Sequence, residues 1–305
     1  MNRRARQAQA CLAAAVLALA GFALWHQLQT LSLAQVRSAW AATPGVRIGL
    51  AMLATAISFA CLAGYERFAT ERVAPGRIPR GAALRSGALA HALSNTLGFH
   101  ALTASAFRYQ QYRRFGLALG EVAKLLGVVA LCVALGAGLV CVGALAWLQF
   151  STPVFAMPGP LLGLALLLLS GLLTWHWLRK RPDAPRWGWR AWAGLTAIAV
   201  LEMAAAVAAM YLLLPSESLP GLAQFTLVFV GASMLGILSH APGGIGVFEA
   251  TMLAALPMSG YASVLVALLA YRAIYNLLPF ALAVLVLALQ GLGRSHAPAS
   301  VGGRV

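Results

Sequence analysis

Residues 239–249 read SHAPGGIGVFE, and they interrupt a segment that is otherwise apolar from residue 221 to residue 258. Proline lacks the backbone N–H that an internal helical position needs, and glycine is a poor helix former. A continuous helix is therefore not expected here, although the flanking residues are apolar enough to enter a membrane. The sequence predicts a helical hairpin whose second half-helix begins near Glu249.

A second segment, residues 84–107, is only moderately apolar and contains His91, Ser94, Asn95 and Gly98. We predict that both interrupted segments are re-entrant hairpins, each of which enters the membrane and returns on the same side. Irregular backbone at membrane depth is tolerated only inside protein or beside a water-filled cavity. Ser94 and Asn95 are expected either to line such a cavity or to satisfy the unpaired backbone of the hairpin tip.

The composition is that of an integral membrane protein. Of the 305 residues, 61% are hydrophobic and only 10% are charged, whereas a soluble domain carries about 25% charged residues. This excludes soluble enzymes and nucleic-acid-binding modules. The net charge of +15 arises from basic residues in short runs between apolar segments, a placement that favours anionic lipid headgroups as partners.

Six segments are long and apolar enough to span a bilayer, which requires about 20 residues. They are residues 11–31, 46–65, 118–148, 161–178, 191–214 and 262–290. The first is similar to a signal peptide, but we expect it to be an uncleaved span because its apolar stretch continues to Leu31. The four cysteines lie within apolar segments and are expected to be packing residues.

The distribution of Lys and Arg supports the re-entrant arrangement. With both hairpins re-entrant, 18 of the 22 basic residues fall on one side of the membrane, and only Arg37 and Arg47 fall on the other. Cytoplasmic loops are enriched in Lys and Arg, so both termini are expected in the cytoplasm. If residues 84–107 crossed fully, the basic residues that follow them would move outside.

The order of elements predicts two inverted repeats, residues 1–152 and 153–294, followed by a disordered tail at 295–305. Each half reads span, span, hairpin, span. Three crossings per half place the two halves in opposite orientations, a pattern typical of transporters. The predicted fold class is therefore an all-α, polytopic helical bundle of two inverted repeats.

Glu249 and Arg272 are the strongest candidates for a site. An ionisable side chain at membrane depth costs at least about 2.5–3.5 kcal/mol, so it usually faces a cavity or a partner. Arg272 lies deep in the last span, next to Tyr271, and its expected partners are Glu249, Glu121, Glu202 or a phosphate that it would bind bidentately. The backbone N–H groups of Gly243 and Gly244 are expected to approach an anionic headgroup.

Other acids offer weaker signals. Glu121 and Lys124 are three residues apart, share a helix face and are expected to form an interfacial pair. Glu202 is expected either to neighbour the site or to form a hydrogen bond to a serine of another helix. Glu249, Glu121 or Glu202 is expected to balance Arg272 in the empty site and is a candidate for carrying a proton. Glu66 and Glu71 are expected in a loop, either solvated or loosely paired with a nearby Arg.

Arg108, with Tyr109, is expected to form part of a basic, aromatic cluster at the cytoplasmic surface, either binding anionic headgroups or only orienting the protein. His240 is a further candidate within the second hairpin. No zinc-type set of His and Cys, Gly-x-Ser-x-Gly motif or phosphate-binding loop with Lys is present. The sequence thus predicts neither a metal site nor a cofactor.

Three blocks resemble a known family, the flippase-type membrane domain of lysylphosphatidylglycerol synthetase. The most specific is residues 239–249, which are similar to its Pro-Gly-Gly-x-Gly-x-Phe-Glu block. Residues 94–99 with 107–109 resemble its first block, and residues 271–275 with Pro279 resemble its Tyr-Arg block.

This resemblance implies a bacterial inner-membrane protein that moves lipids between leaflets, similar to the stand-alone and hopanoid-associated members. Aminoacylation is not implied, because the sequence ends soon after the last span. Our leading hypothesis is a lipid flippase, not an enzyme, in which Arg272, Arg108 and the backbone of Gly243 and Gly244 hold an anionic headgroup. The alternatives are a headgroup-modifying enzyme with Glu249 or His240 as base, and a non-transporting accessory subunit.

Overall fold

The computed structural model describes residues 37, 41, 43–97, 100–151, 188–215, 219–239, 242–244, 246–255 and 261–295, and every structural statement concerns these residues. The predicted spans at 11–31 and 161–178, the junction of the two halves at 152–153, His240 and residues 296–305 lie outside the described residues.

The described residues form helices and no strand. In chain order the helices are α1 (Gly45–Val73), α2 (Arg80–Leu97), α3 (His100–Tyr112), α4 (Leu119–Ser151), α5 (Trp189–Tyr211), α6 (Leu222–Leu238), α7 (Val247–Ala255), α8 (Tyr261–Tyr271) and α9 (Leu278–Ser295). Short 3₁₀ turns occupy Arg113–Phe115 and Pro242–Gly244. A π-helical segment, Arg272–Leu277, joins α8 to α9.

Among the described residues, four helices are long and apolar enough to cross a membrane: Gly45–Val73, Leu119–Leu148, Trp189–Tyr211 and Ser263–Gln290. Helices lie at the predicted spans 46–65, 118–148, 191–214 and 262–290, and the all-α fold class of a helical membrane protein is confirmed among the described residues. Helix α1 continues for two more turns beyond residue 65 to Val73, so the expectation that Glu66 and Glu71 lie in a loop is wrong.

The outward faces of the long helices are apolar. On α9 the side chains of Leu278, Leu282, Leu285 and Leu289 are exposed, and their spacing of four, three and four residues places them on one helix face. A contiguous apolar face of this kind is unfavourable in water. Lipid chains are the medium that matches it.

One end of the bundle carries the basic side chains. Arg77, between α1 and α2, forms an ion pair with Glu121 at the start of α4 and donates to the carbonyl of Gly116, just after α3. The rings of Phe68 and Trp192 lie 6.2 Å apart, which brings the start of α5 to the same end. The pair α2–α3 therefore begins and ends at the basic end of the bundle.

The opposite end is marked by Arg47, which donates a hydrogen bond of 3.1 Å to the carbonyl of Leu214. Helix α6 begins at this end, because the Tyr211 hydroxyl donates to the carbonyl of Pro220. Each interrupted segment thus forms a pair of packed helices, α2–α3 and α6–α7, and the two pairs enter the bundle from opposite ends.

Small residues allow close helix packing at two crossings. A Cβ atom on Gly136 would lie 2.3 Å from the carbonyl oxygen of Ala199, so α4 and α5 approach backbone to backbone. A Cβ atom on Gly87 would lie 2.5 Å from the Cβ of Glu66, where α2 crosses α1. Small residues at helix crossings are typical of membrane bundles, because close packing drives association there.

Candidate functional site

A cavity of about 200 Å³ lies where the tips of the two helix pairs meet the last span. A Cβ atom on Gly243 would lie 3.1 Å from the carbonyl oxygen of Thr96, so the two tips are in contact. Much of the cavity wall is apolar. Its polar and charged lining side chains include His91, Asn95, Glu202, Arg272, Tyr275 and Asn276.

Arg272 and Glu249 form a buried ion pair on the cavity wall. The Nε of Arg272 lies 2.7 Å from Oε1 of Glu249, and each side chain is only 10% exposed. The guanidinium also donates to the carbonyl oxygens of Gly243 and Gly244, and its carbon lies 5.1 Å from the centroid of the Phe248 ring. Of the partners that the sequence left open for Arg272, the structure places Glu249 in the ion pair, whereas Glu121 pairs with Arg77.

The glycine-rich turn shapes this pair. Gly243, Gly244 and Gly246 have φ angles of +59°, +65° and +83°, a region that other L-residues rarely adopt. The second carboxylate oxygen of Glu249 accepts a hydrogen bond of 2.8 Å from the N–H of Gly246 and caps α7. Towards Arg272 the turn presents carbonyl oxygens, whereas the sequence led us to single out its N–H groups.

The π-helical segment brings three cavity-lining side chains to one place. Arg272, Tyr275 and Asn276 all line the cavity from this segment. The side-chain amide of Asn276 donates a hydrogen bond of 2.9 Å to the backbone carbonyl of Asn95. The backbone carbonyl of Asn276 accepts a hydrogen bond of 3.1 Å from the Thr96 hydroxyl. The segment therefore holds the tip of α2 with Asn276 and the turn before α7 with Arg272. A π-helical insertion within a span is frequent at functional sites.

Aromatic rings close the wall next to Arg272. Tyr271 stacks on Tyr275 with centroids 5.0 Å apart and on Phe248 at 5.9 Å. Tyr271 is therefore part of the cavity wall, and its ring limits the space around the guanidinium.

Glu202 lies in the middle of α5 and is 4% exposed. Its Oε1 accepts a hydrogen bond of 3.0 Å from Ser58, whose oxygen lies 2.7 Å from the Tyr275 hydroxyl. Oε2 has no hydrogen-bond partner among the described residues. Both expectations for Glu202 are met, since its carboxylate accepts a hydrogen bond from a serine of another helix and its side chain lines the same cavity as Arg272.

Arg108 does not lie at the surface, and this prediction is wrong. Its guanidinium makes three contacts of 2.7–2.9 Å with the carboxylate of Glu66. The side chains are 1% and 0% exposed. Tyr112 also donates to Glu66, and His91 lies 3.4 Å from Arg108. Since Glu66 neutralises Arg108 in the bundle interior, a surface cluster cannot include it, although Tyr109 is exposed.

The remaining predicted residues lie away from Arg272. Glu121 pairs with Arg77 at 2.7 Å and accepts a hydrogen bond from the N–H of Ala118, so its partner is not the expected Lys124, which is exposed. Ser94 is buried and donates to the carbonyl of His91 one turn earlier in α2. These contacts stabilise helix ends and backbone outside the cavity.

The sequence did not reveal Glu66, Ser58 or Asn276. Glu66 was assigned to a loop because the hydropathy falls after Tyr65. A signal existed in the helical spacing of Ser58, Leu62 and Glu66, which continues one face of α1 beyond the apolar stretch. No local pattern marks Asn276. Among the described residues, no group of three His, Cys, Asp or Glu side chains is placed to hold a metal ion.

No family model matches the chain. Over 254 residues, covering 76% of this chain and 75% of the relative, the sequence is 30% identical to the uncharacterized protein slr0712 of Synechocystis sp.. The chain belongs to the family of slr0712. Because the match spans three quarters of both proteins, membership concerns most of the bundle. The name of slr0712 assigns no activity, so the function is argued from the geometry of the cavity.

Proposed function

We propose that this protein moves an anionic phospholipid, or a lipid-linked anion, between the leaflets of a bacterial inner membrane. One observation carries the proposal: a buried Arg272–Glu249 ion pair lines a cavity where two helix pairs from opposite ends of the bundle meet. A charged pair in this position is expensive within a membrane and is usually retained for a substrate or ion pathway.

In this proposal α2–α3 and α6–α7 are re-entrant hairpins, and the halves 1–152 and 153–294 are inverted repeats. The entry of the two helix pairs from opposite ends supports this arrangement. Rocking of one half against the other would expose the cavity to each leaflet in turn. The basic end of the bundle, marked by Arg77, would face the cytoplasm.

The headgroup would bind at Arg272. A phosphate offers two oxygens to the guanidinium fork in the same way as a carboxylate, so it would replace Glu249 as the partner when the lipid enters. A cavity of about 200 Å³ holds a headgroup and not the acyl chains. The chains would remain in the bilayer against the exposed apolar faces of the long helices.

Two further observations support transport over headgroup chemistry. Both carboxylate oxygens of Glu249 are engaged, one by Arg272 and the other by the N–H of Gly246, so Glu249 is poorly placed to act as a base. The blocks at residues 239–249 and 271–275 resemble those of the flippase-type membrane domain of lysylphosphatidylglycerol synthetase.

The test is translocation in vesicles that contain the purified protein and fluorescent phosphatidylglycerol, with a membrane-impermeant quencher to report the outer leaflet. We expect Arg272→Ala to abolish protein-dependent translocation and Arg272→Lys to reduce it, because Lys keeps the charge but loses the bidentate fork. Arg67→Ala is the matched control, since Arg67 forms an exposed ion pair with Glu71.

Wild-type translocation by Arg272→Ala would refute the assignment of the headgroup site. A wild-type protein that moves no lipid would refute transport and favour the accessory-subunit alternative. Mass spectrometry of the same vesicles would detect a modified headgroup, which would instead favour the enzyme alternative.

A further inference from the structure

We propose that Glu202 binds a proton that crosses the membrane together with each translocated anionic lipid, so that transport is coupled to proton movement. This inference rests on the proposed function, because it assigns the coupling ion to the same cavity. It is carried by the position of a buried carboxylate that lines the cavity and has one oxygen without a protein partner among the described residues.

Glu202 differs from the other buried acids among the described residues because no positively charged side chain forms an ion pair with its carboxylate. Ion pairs in the described part of the chain join Arg67 to Glu71, Arg77 to Glu121, Arg108 to Glu66 and Arg272 to Glu249. Glu202 takes part in none of them. Its Oε1 accepts a hydrogen bond of 3.0 Å from the Ser58 hydroxyl. A buried carboxylate without a counter-charge is costly, and binding a proton removes that cost.

A proton fits the site better than a metal cation. Hard cations such as Mg²⁺ or Ca²⁺ take about six or more oxygen ligands. Next to the Glu202 carboxylate, the described hydrogen-bonding oxygens are the hydroxyls of Ser58 and Tyr275. One carboxylate and two hydroxyls supply only part of such a shell, so a metal cation would depend on water for the rest, whereas a proton requires only the free Oε2.

Among the described groups that face Glu202, His91 is the one whose ordinary pKa lies near pH 7, and the Glu202→Gln variant separates its titration from that of Glu202. Helix α1 contributes Cys61 and Tyr65, and the last span contributes Tyr271 and Tyr275. Thiols and phenols are ordinarily neutral near pH 7. Helices α4 and α6 line the cavity with apolar side chains and Ser233. Helix α2 contributes His91, and the π-helical segment contributes Arg272, whose charge Glu249 neutralises.

A hydrogen-bonded chain links Glu202 to the substrate-facing segment. Because the single Ser58 proton points to Glu202, the Tyr275 hydroxyl donates to Ser58. Tyr275 belongs to the same π-helical segment as Arg272. A change in the charge of Glu202 therefore alters the position of a side chain one turn from the headgroup site.

The coupling follows from charge. Protonation of Oε2 removes a negative charge from the cavity that an anionic headgroup must enter, so proton binding and lipid binding favour each other by the same factor. The proton would come from water while the cavity is open to one side. It would return to water on the other side after the lipid leaves.

The experiment compares wild type with Glu202→Gln and with Glu71→Gln, a matched control in an exposed pair. Translocation of fluorescent phosphatidylglycerol is measured between about pH 5 and about pH 9, and we expect the wild-type rate to fall by up to about tenfold per pH unit, the limit for one proton. Glu71→Gln is expected to keep this dependence. Glu202→Gln mimics the protonated form, and its rate is expected not to change with pH.

Infrared difference spectroscopy gives a readout that is independent of lipid movement. The wild type is expected to show a titrating carboxyl band that Glu202→Gln lacks and Glu71→Gln retains. If the wild type shows the band but moves no lipid, the proposed function fails and the proton site stands. If Glu202→Gln keeps both the band and the pH dependence, or if transport depends on Na⁺ at constant pH, the proton assignment is overturned.

Discussion

The Arg108–Glu66 pair offers the sharpest test of the packing. Arg108→Ala removes a guanidinium that makes three contacts with Glu66, in a site where both side chains are essentially inaccessible. Among the described residues, the Glu66 carboxylate would then retain only the Tyr112 hydroxyl as a hydrogen-bond donor. We therefore expect a large loss of stability from a single residue far from any terminus.

The magnitude follows from the uncompensated charge. Removing one partner of a buried pair costs about 3–5 kcal/mol. At roughly 2–4 °C per kcal/mol for a chain of this size class, the melting temperature is expected to fall by about 6–20 °C. Replacing both Arg108 and Glu66 with Leu is expected to recover part of this loss, because no buried charge remains.

Thermal unfolding in detergent, followed by circular dichroism at constant pH, measures these shifts. Arg67→Ala is the control, since it also removes an arginine from an ion pair, but from one whose side chains are 42% and 45% exposed. That change is expected to cost no more than about 0.5 kcal/mol. Equal losses for Arg108→Ala and Arg67→Ala would refute the claim that burial makes the Arg108 pair structural.

Two predictions concern the glycines. Gly136→Ala places a Cβ atom against the carbonyl oxygen of Ala199, so it is expected to lower the stability of the fold by about 1–3 kcal/mol. Gly127→Ala has open space around the new atom and is expected to be neutral or to stabilise the fold by up to about 1 kcal/mol. Thermal unfolding of both variants measures the difference, and equal effects would contradict this expectation. Gly244→Ala introduces a Cβ atom at a position whose φ is +65°, and this atom would lie 3.0 Å from the Cα of Gly236. The substitution is therefore expected to disrupt the turn that holds Arg272 and to abolish lipid translocation. A wild-type translocation rate in the vesicle assay would contradict this expectation.

The spans were predictable from the sequence because hydropathy reports transfer into lipid directly. The four described spans were located in this way, with α1 extended to Val73. The Arg272–Glu249 pair was predictable for a different reason. A charge at membrane depth needs a partner. Since few acids lie in or near apolar segments, only three acids were candidate partners for Arg272.

The interior of the first helix pair was not predictable in the same way. Glu66 and Arg108 are separated by 42 residues, and each follows the end of an apolar stretch, where hydropathy predicts solvent. Their burial arises because α2 and α3 cover the basic end of α1. Hydropathy measures contact with lipid and does not report contact with another helix. Pairing across helices therefore depends on the packing of α1 with α2 at Gly87, which local sequence does not encode.

The buried acids Glu66, Glu249 and Glu202 differ in how far protein groups compensate their charge, and this order indicates where a ligand can act. Glu66 is saturated by Arg108 and Tyr112, so a ligand would have to break a buried network to reach it. Glu249 shares Arg272 with the cavity wall, so an anion can compete for the same guanidinium. Glu202 has an oxygen without a partner among the described residues. Since binding gains most where compensation is incomplete, we expect substrate and proton to act at Arg272 and Glu202, and we expect Arg108 to hold the framework.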